Sequence, residues 1–448
     1  MKKGLILFFM VLLCIWGYSE INNSIYNPLD SNFLYPKSPK GSLNMELIYS
    51  YNYDIDRMLD VIAIDTYCVV CDFSKGLKVF SIANQEIPYL IGTCETGGYV
   101  QRLYIHDKKV FVADRKPGVS VISVEDPADP FLLSSYYTGD LTYGIFAETP
   151  SNNEKSLPST VDSTSTLYKE PFLYAADRYG GLLLFSVTNF TPKLMGQCLV
   201  GSDYCNNVWV ERSTAYVANW SDGLNVIDVH NKNYPIIIDN IPTNGFSADL
   251  YVVDTILYLC DGDGQLRMFN ISDSYNIIEL GTYNTRGQAI DVFVINNTAY
   301  VACEYGGIAV VDVSNPMLPV ELAYYQDGSA PRGVYAVGDY VYVGAQYSGF
   351  KVLKYNKPAE QEEYSRDIEE RIKMIDKNVA MKFNNKNGEI KIKIYNALGI
   401  KIYEQEILSK DINPGDVIKN ISKLKNGLYF YEIEGLEYKS KGKYTLIK

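Results

Sequence analysis

The chain has 448 residues, which is too long for one ordinary domain unless the chain is a repeat array. Hydrophobic residues make up 47% of it, and its 39 tyrosines and 17 phenylalanines favour β structure. Residues 20–377 hold 26 basic and 45 acidic side chains, whereas residues 378–448 hold 13 lysines and 8 acidic side chains. The acidic main body argues against nucleic-acid binding, which requires a basic surface.

The N-terminal sequence MKKGLILFFMVLLCIWGYSE predicts a secretory signal peptide over residues 1–19. Two lysines precede an apolar stretch, and small residues precede the expected cleavage after Ser19. The apolar stretch is too short to favour a membrane-spanning helix, and we expect no membrane span in the mature protein. Lipid attachment at Cys14 is an alternative, which the bulky Leu13 before it disfavours. Residues 20–44 are expected to form an N-terminal extension.

A phrase made of a glycine, a short apolar run, a small polar residue and a turn recurs along the chain, as in GGIAVVDVSNP at residues 306–316. Aligned on its glycine, the phrase repeats every 42 residues, a period typical of repeat architectures. One step is 63 residues long because residues 148–168 form a Ser/Thr-rich insertion with the composition of a loop. The anchor positions are Gly76, Gly118, Gly181, Gly223, Gln265, Gly307 and Gly349.

Each repeat has the pattern of four short strands, and apolar runs such as IAVV predict strands that are buried on both faces. Units of this kind predict an all-β fold with a seven-bladed β-propeller over residues 45–355. The seventh unit contains only three strands before its pattern ends. The segment MELIYSYNYD, from Met45 to Asp54, resembles a fourth strand. We expect it to complete the seventh blade, so that the closure leaves no exposed sheet edge.

The phrase GGIAVVDVSNP and the AYVA before it resemble the LVIVD repeat of secreted bacterial and archaeal propeller proteins. The resemblance covers roughly residues 45–355 and is weakest in the fifth unit, which reads GQLRMFNIS. It implies a seven-bladed propeller located outside the cytoplasm. It implies little about the ligand, because repeat families of this kind share their fold more than their function.

The C-terminal part of the chain differs from the repeats. Residues 356–377 are highly charged and are expected to form a linker or a short helix. Residues 378–448 return to an alternating β pattern that predicts a small Ig-like β-sandwich. In this part IKIYNALGIKIYEQEI, LKNGLYFYEIEG and KGKYTLIK resemble three segments of the C-terminal sorting domains of the type IX secretion system.

The resemblance to a sorting domain implies that residues 378–448 interact with the type IX secretion machinery. It also implies passage through the periplasm and a protein that is secreted or attached to the outer-membrane surface. An ordinary Ig-like accessory module at the end of the chain is the alternative.

The sequence contains no recognisable catalytic motif, and we expect no catalytic residue and no metal site. The two histidines, His106 and His230, fall in different repeats, which is too few for a histidine-centred site. The seven cysteines after the signal peptide lack the even spacing of a disulfide scaffold, so we interpret most of them as small buried hydrophobic residues. No cofactor is expected. A structural calcium ion at DGDG, from Asp261, is an alternative, although the Glu of a calcium loop is missing.

In a propeller of this register, one face gathers the turns between second and third strands and the starts of the innermost strands. A turn aspartate accepts backbone N–H groups and fixes the turn, which is one interpretation of these residues. The other is that carboxylates beside Phe73, Tyr179, Trp220, Tyr305 and Tyr347 form a rim for a sugar, a peptide or a cation. The fold need not repeat a carboxylate at the ends of the innermost strands, which favours binding at Asp60, Asp249 and Asp291. The candidate binding residues are Asp60, Arg102, Asn207, Trp220, Asp249, Gln288, Asp291, Tyr305, Arg332 and Tyr347.

The sequence therefore predicts an exported, non-enzymatic propeller at the cell surface that binds an unknown glycan or peptide on this face. An exported carbohydrate-active hydrolase or lyase that uses the central carboxylates is the alternative. A purely structural role in a surface layer is a third hypothesis.

Overall fold

The computed structural model describes residues 41–148, 171–201, 204–357, 389–396, 401–408, 427–435 and 438–446. The predicted signal peptide, nearly all of the Ser/Thr-rich insertion and nearly all of the charged linker lie outside the described residues. Two strands precede the repeats, namely β1 (Gly41–Leu43) and β2 (Met45–Tyr51).

The repeats fold into successive antiparallel sheets, which are the blades of a seven-bladed β-propeller. The first blade contains β3 (Met58–Ile64), β4 (Tyr67–Asp72), β5 (Gly76–Ser81) and β6 (Tyr89–Cys94). The second contains β7 (Val100–His106), β8 (Lys109–Asp114), β9 (Gly118–Ser123) and β10 (Phe131–Tyr137). The third contains β11 (Thr142–Glu148), β12 (Phe172–Asp177), β13 (Gly181–Thr188) and β14 (Thr191–Cys198).

The remaining blades follow the same order, in which the first strand of each blade lies innermost, beside the first strands of its two neighbours. The fourth contains β15 (Asn207–Glu211), β16 (Thr214–Ala218), β17 (Leu224–Asp228) and β18 (Ile236–Ile241). The fifth contains β19 (Ser247–Val253), β20 (Ile256–Asp261), β21 (Gln265–Asn270) and β22 (Ile278–Asn284). The sixth contains β23 (Asp291–Ile295), β24 (Thr298–Ala302), β25 (Ile308–Asp312) and β26 (Val320–Gln326). The seventh contains β27 (Gly333–Val337), β28 (Tyr340–Gly344) and β29 (Phe350–Tyr355).

The seventh blade takes its fourth strand from the beginning of the chain. Strand β2 pairs antiparallel with β29, so that Met45 lies opposite Tyr355 and Tyr51 lies opposite Phe350. This is the strand exchange expected from the sequence MELIYSYNYD. It joins the first described residues to the last blade and removes the edge that β29 would otherwise expose.

The sixth blade has a fifth strand that the sequence pattern did not predict. Strand β1 pairs antiparallel with the outermost strand β26, with Gly41 opposite Gln326 and Leu43 opposite Tyr324. The expected N-terminal extension therefore joins the propeller at residues 41–43. The physical reason is that an outermost strand carries unpaired N–H and C=O groups, which a neighbouring segment of chain can satisfy.

The hydrophobic core is divided among the seven interfaces between neighbouring blades. Seven clusters of buried apolar side chains are formed, and each draws its members mainly from two adjacent blades. At the closure, Phe80 of the first blade stacks on Phe350 of the seventh with ring centroids 4.6 Å apart. Because the two faces of every blade are covered in this way, the third strands read as continuous apolar runs rather than as an alternation.

The anchor glycines occupy a turn that only glycine accepts easily. Gly307 has a φ of 82°, and a Cβ atom there would lie 2.1 Å from the carbonyl oxygen of Tyr325. In the fifth blade the anchor position is Gln265, and the preceding Gly264 has the positive φ of 87° instead. The turn chemistry is therefore retained where the repeat sequence departs from its pattern.

The C-terminal residues form a separate antiparallel sheet. Its strands are β30 (Glu389–Asn396), β31 (Lys401–Leu408), β32 (Gly427–Gly435) and β33 (Tyr438–Leu446), in the order β31-β30-β32-β33. One sheet of the predicted Ig-like sandwich is thus present, and the sandwich itself stays a prediction. In the described part of the chain no helix has the length and apolar character that a bilayer span requires.

Removal of residues 1–54 should prevent stable folding, whereas removal of residues 1–43 should not. The longer deletion takes away β2 and exposes the whole edge of β29, but the shorter one takes away only β1. The measurement is thermal unfolding followed by circular dichroism, with size-exclusion chromatography for aggregation. A cooperative, monomeric 55–448 protein as stable as its 44–448 counterpart would contradict the assigned closure.

Candidate functional site

The aspartates of the turns between second and third strands are structural. Asp72 Oδ1 accepts the backbone N–H groups of Asp56 and Arg57 at 2.8 and 3.1 Å. Asp177 Oδ1 accepts the N–H of Gly180 at 3.1 Å. Burial raises the pKa of both carboxyl groups above the usual value for aspartate. The interpretation that these residues fix the turns is confirmed.

Three carboxylates at the innermost strands each join one blade to the next. Asp60, Asp249 and Asp291 are only 8%, 2% and 5% exposed. The N–H groups that they accept through Oδ2 belong to Leu103, Val292 and Val334, at 2.8, 3.0 and 2.7 Å respectively. Each donor lies 43 residues after its acceptor, which is one position beyond the repeat. At these three of the seven positions the fold therefore does use a carboxylate, for hydrogen bonds between neighbouring blades.

Arg102 closes the central channel at the level of these carboxylates. Its guanidinium contacts Asp291 Oδ1 through Nη1 and lies 3.4 Å from Asp249 Oδ1 through Nη2. Nη2 also donates to the carbonyl oxygen of Ile290 at 3.2 Å. Arg102 is in the second blade, and its partners in the fifth and sixth blades are each three blades away in a ring of seven. The side chain therefore crosses the channel axis.

The charges of this central network are unbalanced. Burial, reinforced by the nearby Asp291, raises the pKa of Asp60 to about 7 against the opposing effect of Arg102. Burial also raises the pKa of Asp249 well above its ordinary value. Desolvation alone would lower the pKa of Arg102, but Asp249, Asp291 and Asp60 outweigh it and raise the pKa. Asp60 and Asp249 therefore retain protons at a pH where exposed carboxyl groups have lost them.

The other positions of the same repeat column are small or amide side chains. Asn207 donates through Nδ2 to Asp249 Oδ1, so it belongs to the central network. A Cβ atom on Gly333 would lie 2.5 Å from the Cα of Asp60, and one on Gly144 would lie 2.5 Å from the Cα of Asn207. Glycine is therefore needed where the innermost strands approach one another most closely.

The remaining five candidates lie on turns and strand starts of the same face. Trp220 stacks on Phe246 with ring centroids 4.3 Å apart, and Arg332 Nη2 lies 2.9 Å from Glu304 Oε1. Gln288 is half-buried just before β23. The two most exposed candidates are Tyr305 and Tyr347, at 43% and 53%.

Arginine and aromatic side chains form a series along this face. It begins at the seventh blade, passes through the first four blades and ends at the fifth. The guanidinium carbon of Arg57 lies 3.7 Å from the ring centroid of Phe73 and 6.0 Å from that of Tyr347. Arg115 lies 5.2 Å from the Phe73 centroid and 4.8 Å from the Tyr143 centroid. These are distances at which a cation is attracted by an aromatic ring.

The series continues across the third and fourth blades. Tyr204 has its ring centroid 6.4 Å from that of Tyr143 and 6.3 Å from that of Trp220, and Arg178 lies 4.6 Å from the Tyr179 centroid. We refer to the whole series as the arginine–aromatic rim, and its members are Arg57, Phe73, Arg115, Tyr143, Arg178, Tyr179, Tyr204, Trp220, Phe246 and Tyr347.

Sequence reasoning named Phe73, Tyr179, Trp220 and Tyr347 of this rim as neighbours of carboxylates, but it did not identify the arginines. A usable signal was present in the residue that follows the turn Asp or Asn. In the first four repeats that residue is Phe73, Arg115, Arg178 and Trp220.

The histidines and cysteines of the described residues form no metal site and no disulfide. No group of three or more His, Cys, Asp or Glu side chains in them is placed to hold a metal ion. His230 donates its backbone N–H to Asp228 Oδ1 at 2.8 Å, and His106 ends β7 in a different blade. All seven cysteines between residues 68 and 303 are buried and unpaired with one another, which confirms their interpretation as buried hydrophobic residues.

Comparison with known families identifies both parts of the chain. The LVIVD repeat matches residues 97–138, 203–243 and 286–327. The Secretion system C-terminal sorting domain matches residues 375–447. The protein is thus a seven-bladed β-propeller with LVIVD repeats and a type IX secretion sorting domain, and the sorting domain indicates an exported protein. No curated protein has a significantly similar sequence.

Solved structures agree with the fold. The WD40 β-propeller domain of Doa1 is 10% identical, with a TM-score of 0.52 over 70% of this chain and 97% of that one. The computationally designed Ika8 protein is 9% identical, with a TM-score of 0.50 over 69% of this chain and 99% of that one. At these identities the likeness concerns the fold alone.

Asp60→Asn should become progressively less destabilising, relative to the wild type, as the pH rises from about 4 to about 7. In the wild type the folded-state pKa of Asp60 is raised, so the folded protein binds a proton that the unfolded chain has released. The contribution of Asp60 to the free energy of unfolding is fully present below the pKa that this group has in the unfolded chain. It is lost as the pH rises to the pKa of the group in the folded protein, at up to about 1.4 kcal/mol per pH unit. The measurement is urea unfolding at pH 4, 5, 6, 7 and 8.

The matched control is Asp107→Asn, at an exposed turn position. Its difference from the wild type should not change with pH in this way. Parallel pH profiles for Asp60→Asn and the wild type would contradict the assignment of a retained proton to the central network.

Proposed function

We propose that this exported propeller is a non-enzymatic binding protein, and that it takes a carboxylate-bearing glycan or peptide on the arginine–aromatic rim. The proposal rests mainly on the alternation of arginine and aromatic side chains along one face. Tyrosine, tryptophan and arginine are the residues that contribute most to binding at protein interfaces. Here they are concentrated on the turns of a rigid scaffold, where binding residues are commonly placed.

The rim combines two kinds of contact. Tyr179 and Tyr347 are 59% and 53% exposed and offer flat apolar surface to a ligand. Arg57 and Arg115 lie against aromatic rings, and the N–H groups of a guanidinium are suited to carboxylate oxygens. Arg178 already binds a carboxylate in this way, because it donates to both oxygens of Asp140. A ligand with carboxylates next to flat or apolar groups matches this combination, although the protein as a whole is acidic.

The central carboxylates support the binding role better than the hydrolase or lyase alternative. Glycoside hydrolysis uses two carboxyl groups about 5–10 Å apart on either side of the scissile bond. Asp249 and Asp291 instead contact the same guanidinium, and a hydrogen bond to Asp291 contributes to the raised pKa of Asp249. Both also accept N–H groups of the next blade, which leaves them little access to a substrate.

The sorting domain supports delivery of this face to the outside of the cell. Attachment at the outer-membrane surface, after passage through the periplasm, would bring the rim into contact with external polymers. A purely structural surface-layer role would not require a continuous series of arginine and aromatic side chains along one face.

Tyr179→Ala and Tyr347→Ala should each weaken ligand binding about tenfold or more, because exposed aromatic anchors typically contribute 1–2 kcal/mol or more. The measurement is a glycan array and a peptide array probed with the chain from residue 20, followed by calorimetry on the strongest ligand. The controls are Tyr234→Ala and Tyr275→Ala, which alter even more exposed tyrosines at turns of the opposite face. Equal losses in the controls, or binding confined to uncharged ligands, would contradict the proposal. Turnover abolished by Asp249→Asn or Asp291→Asn would favour the enzyme instead.

Removal of residues 378–448 should leave the propeller in the periplasm of the native producer, while the full-length protein reaches the surface or the medium. The reason is that the sorting domain acts as the address for the secretion machinery. Cell fractionation with immunoblotting makes the measurement, and a periplasmic marker protein controls for leakage. Full-length protein confined to the periplasm would refute surface delivery.

A further inference from the structure

A second set of side chains lines the central channel two residues beyond the carboxylates. Along each innermost strand, alternate residues point to the same side, and the residues between them are buried against neighbouring blades, as Val61 and Ala63 are. The channel-facing column consists of Ile62, Tyr104, Phe146, Trp209, Tyr251, Phe293 and Tyr335. Six of the seven are aromatic. The sequence analysis did not single out this column, because aromatic residues are frequent along the whole chain.

These aromatic rings form a continuous wall from the second blade to the seventh. The successive ring-centroid distances are 4.8 Å for Tyr104–Phe146, 4.9 Å for Phe146–Trp209, 4.7 Å for Trp209–Tyr251, 5.4 Å for Tyr251–Phe293 and 4.1 Å for Phe293–Tyr335. Four of the rings remain half-buried although they lie at the centre of the ring of blades. Their remaining exposure is therefore to the channel.

Three of the six aromatic residues are tyrosines, so phenol hydroxyl groups are part of this wall. Tyr104, Tyr251 and Tyr335 come from the second, fifth and seventh blades. Burial first, and then the Tyr335 phenol, raises the pKa of Tyr104 to about 12. Burial raises the pKa of Tyr251 too, with smaller effects of Tyr335 and Tyr104. Within the described part of the chain none of the three hydroxyls has a hydrogen-bond partner.

The wall ends at the Arg102 network, which makes the channel a well with one closed end. Two residues along a strand span about 6–7 Å, so the carboxyl groups lie within electrostatic reach of the phenols. That end carries three carboxyl groups and one guanidinium, and because the pKa values of Asp60 and Asp249 are raised, the guanidinium of Arg102 is not outweighed by three full negative charges. The other end opens on the opposite face, where Val253 and Ile295 of the next channel-facing column are 37% and 39% exposed.

We propose that this well binds a slender primary alkylammonium cation, such as a lysine side chain or one end of a polyamine. The three phenol oxygens can accept the three N–H groups of the ammonium, and the aromatic wall surrounds its alkyl chain. The site is separate from the arginine–aromatic rim and opens on the other face, so it does not depend on the function proposed above.

Trp209 provides a direct reporter. In a chain that starts at residue 20, Trp209 and Trp220 are the two tryptophans, so Trp220→Phe leaves Trp209 as the source of tryptophan emission. The probe is n-butylammonium chloride, titrated against n-butanol as the neutral match in length and sodium chloride as the match in ionic strength. We expect a saturable change with butylammonium, at least tenfold weaker binding of butanol, and no saturable change with salt.

Tyr335→Phe in the same background removes one hydroxyl and keeps the ring. It should weaken butylammonium binding about tenfold, because a hydrogen bond to a charged group contributes roughly 1.5–3 kcal/mol. Tyr305→Phe, on the rim face, is the control and should leave binding unchanged, and thermal unfolding verifies that both variants fold. Calorimetry without the Trp220 substitution provides a second measurement. Equal binding of butanol, absence of saturation, or an unchanged affinity in Tyr335→Phe would each overturn the proposal.

Discussion

Every blade of this propeller buries its apolar side chains against its two neighbours, so the whole fold depends on closure of the ring. Strand β2 provides that closure by pairing with β29. The stacked rings of Phe80 and Phe350 pack across the interface between the first and seventh blades. At the channel, Asp60, Asp249 and Asp291 accept hydrogen bonds from backbone N–H groups of the next blade and so tie neighbouring blades together. A protein with an open ring would expose both an apolar blade face and a strand edge.

The repeat sequence is most regular where blades pack and least regular where they meet the channel and the faces. The anchor glycines and the small residues of the second strands are dictated by close approach of backbone, which is the same in each blade. At the innermost strand starts, one column contains aspartate, arginine, asparagine and glycine, because its members complete one another across the axis. Arg102 can occupy its place only because Asp249 and Asp291 lie three blades away on either side.

The period, the blade number and the strand exchange were predictable from the sequence because they follow from local patterns repeated in register. The arginine–aromatic rim was largely missed. Arg57, Arg115 and Tyr143 are far apart in the sequence and belong to three different blades, and only the curvature of the ring brings them together. The use of Asp60 as a tie between blades was missed for a similar reason. Its partner, the N–H of Leu103, is a backbone group that no sequence motif marks.

The two faces and the channel of this molecule offer different chemistry within one rigid frame. The rim face presents cations held by aromatic rings, whereas the channel is lined by aromatic rings and bounded by the Arg102 network. The separation follows from the position of Arg102, which divides the space along the axis. Because the ring is closed by the pairing of β2 with β29, both sites belong to one frame.

The seven thiols have a consequence for a protein that works outside the cytoplasm. Each is buried, and burial raises the pKa of groups such as Cys68, Cys71 and Cys260, so the reactive thiolate form is scarce in the native protein. An unfolded chain would present an odd number of thiols to an oxidising environment and could link them wrongly within or between molecules. Closure of the ring therefore also protects the buried cysteines from oxidation. The protein contains no disulfide among these residues, and it forms no accidental one for as long as it stays folded.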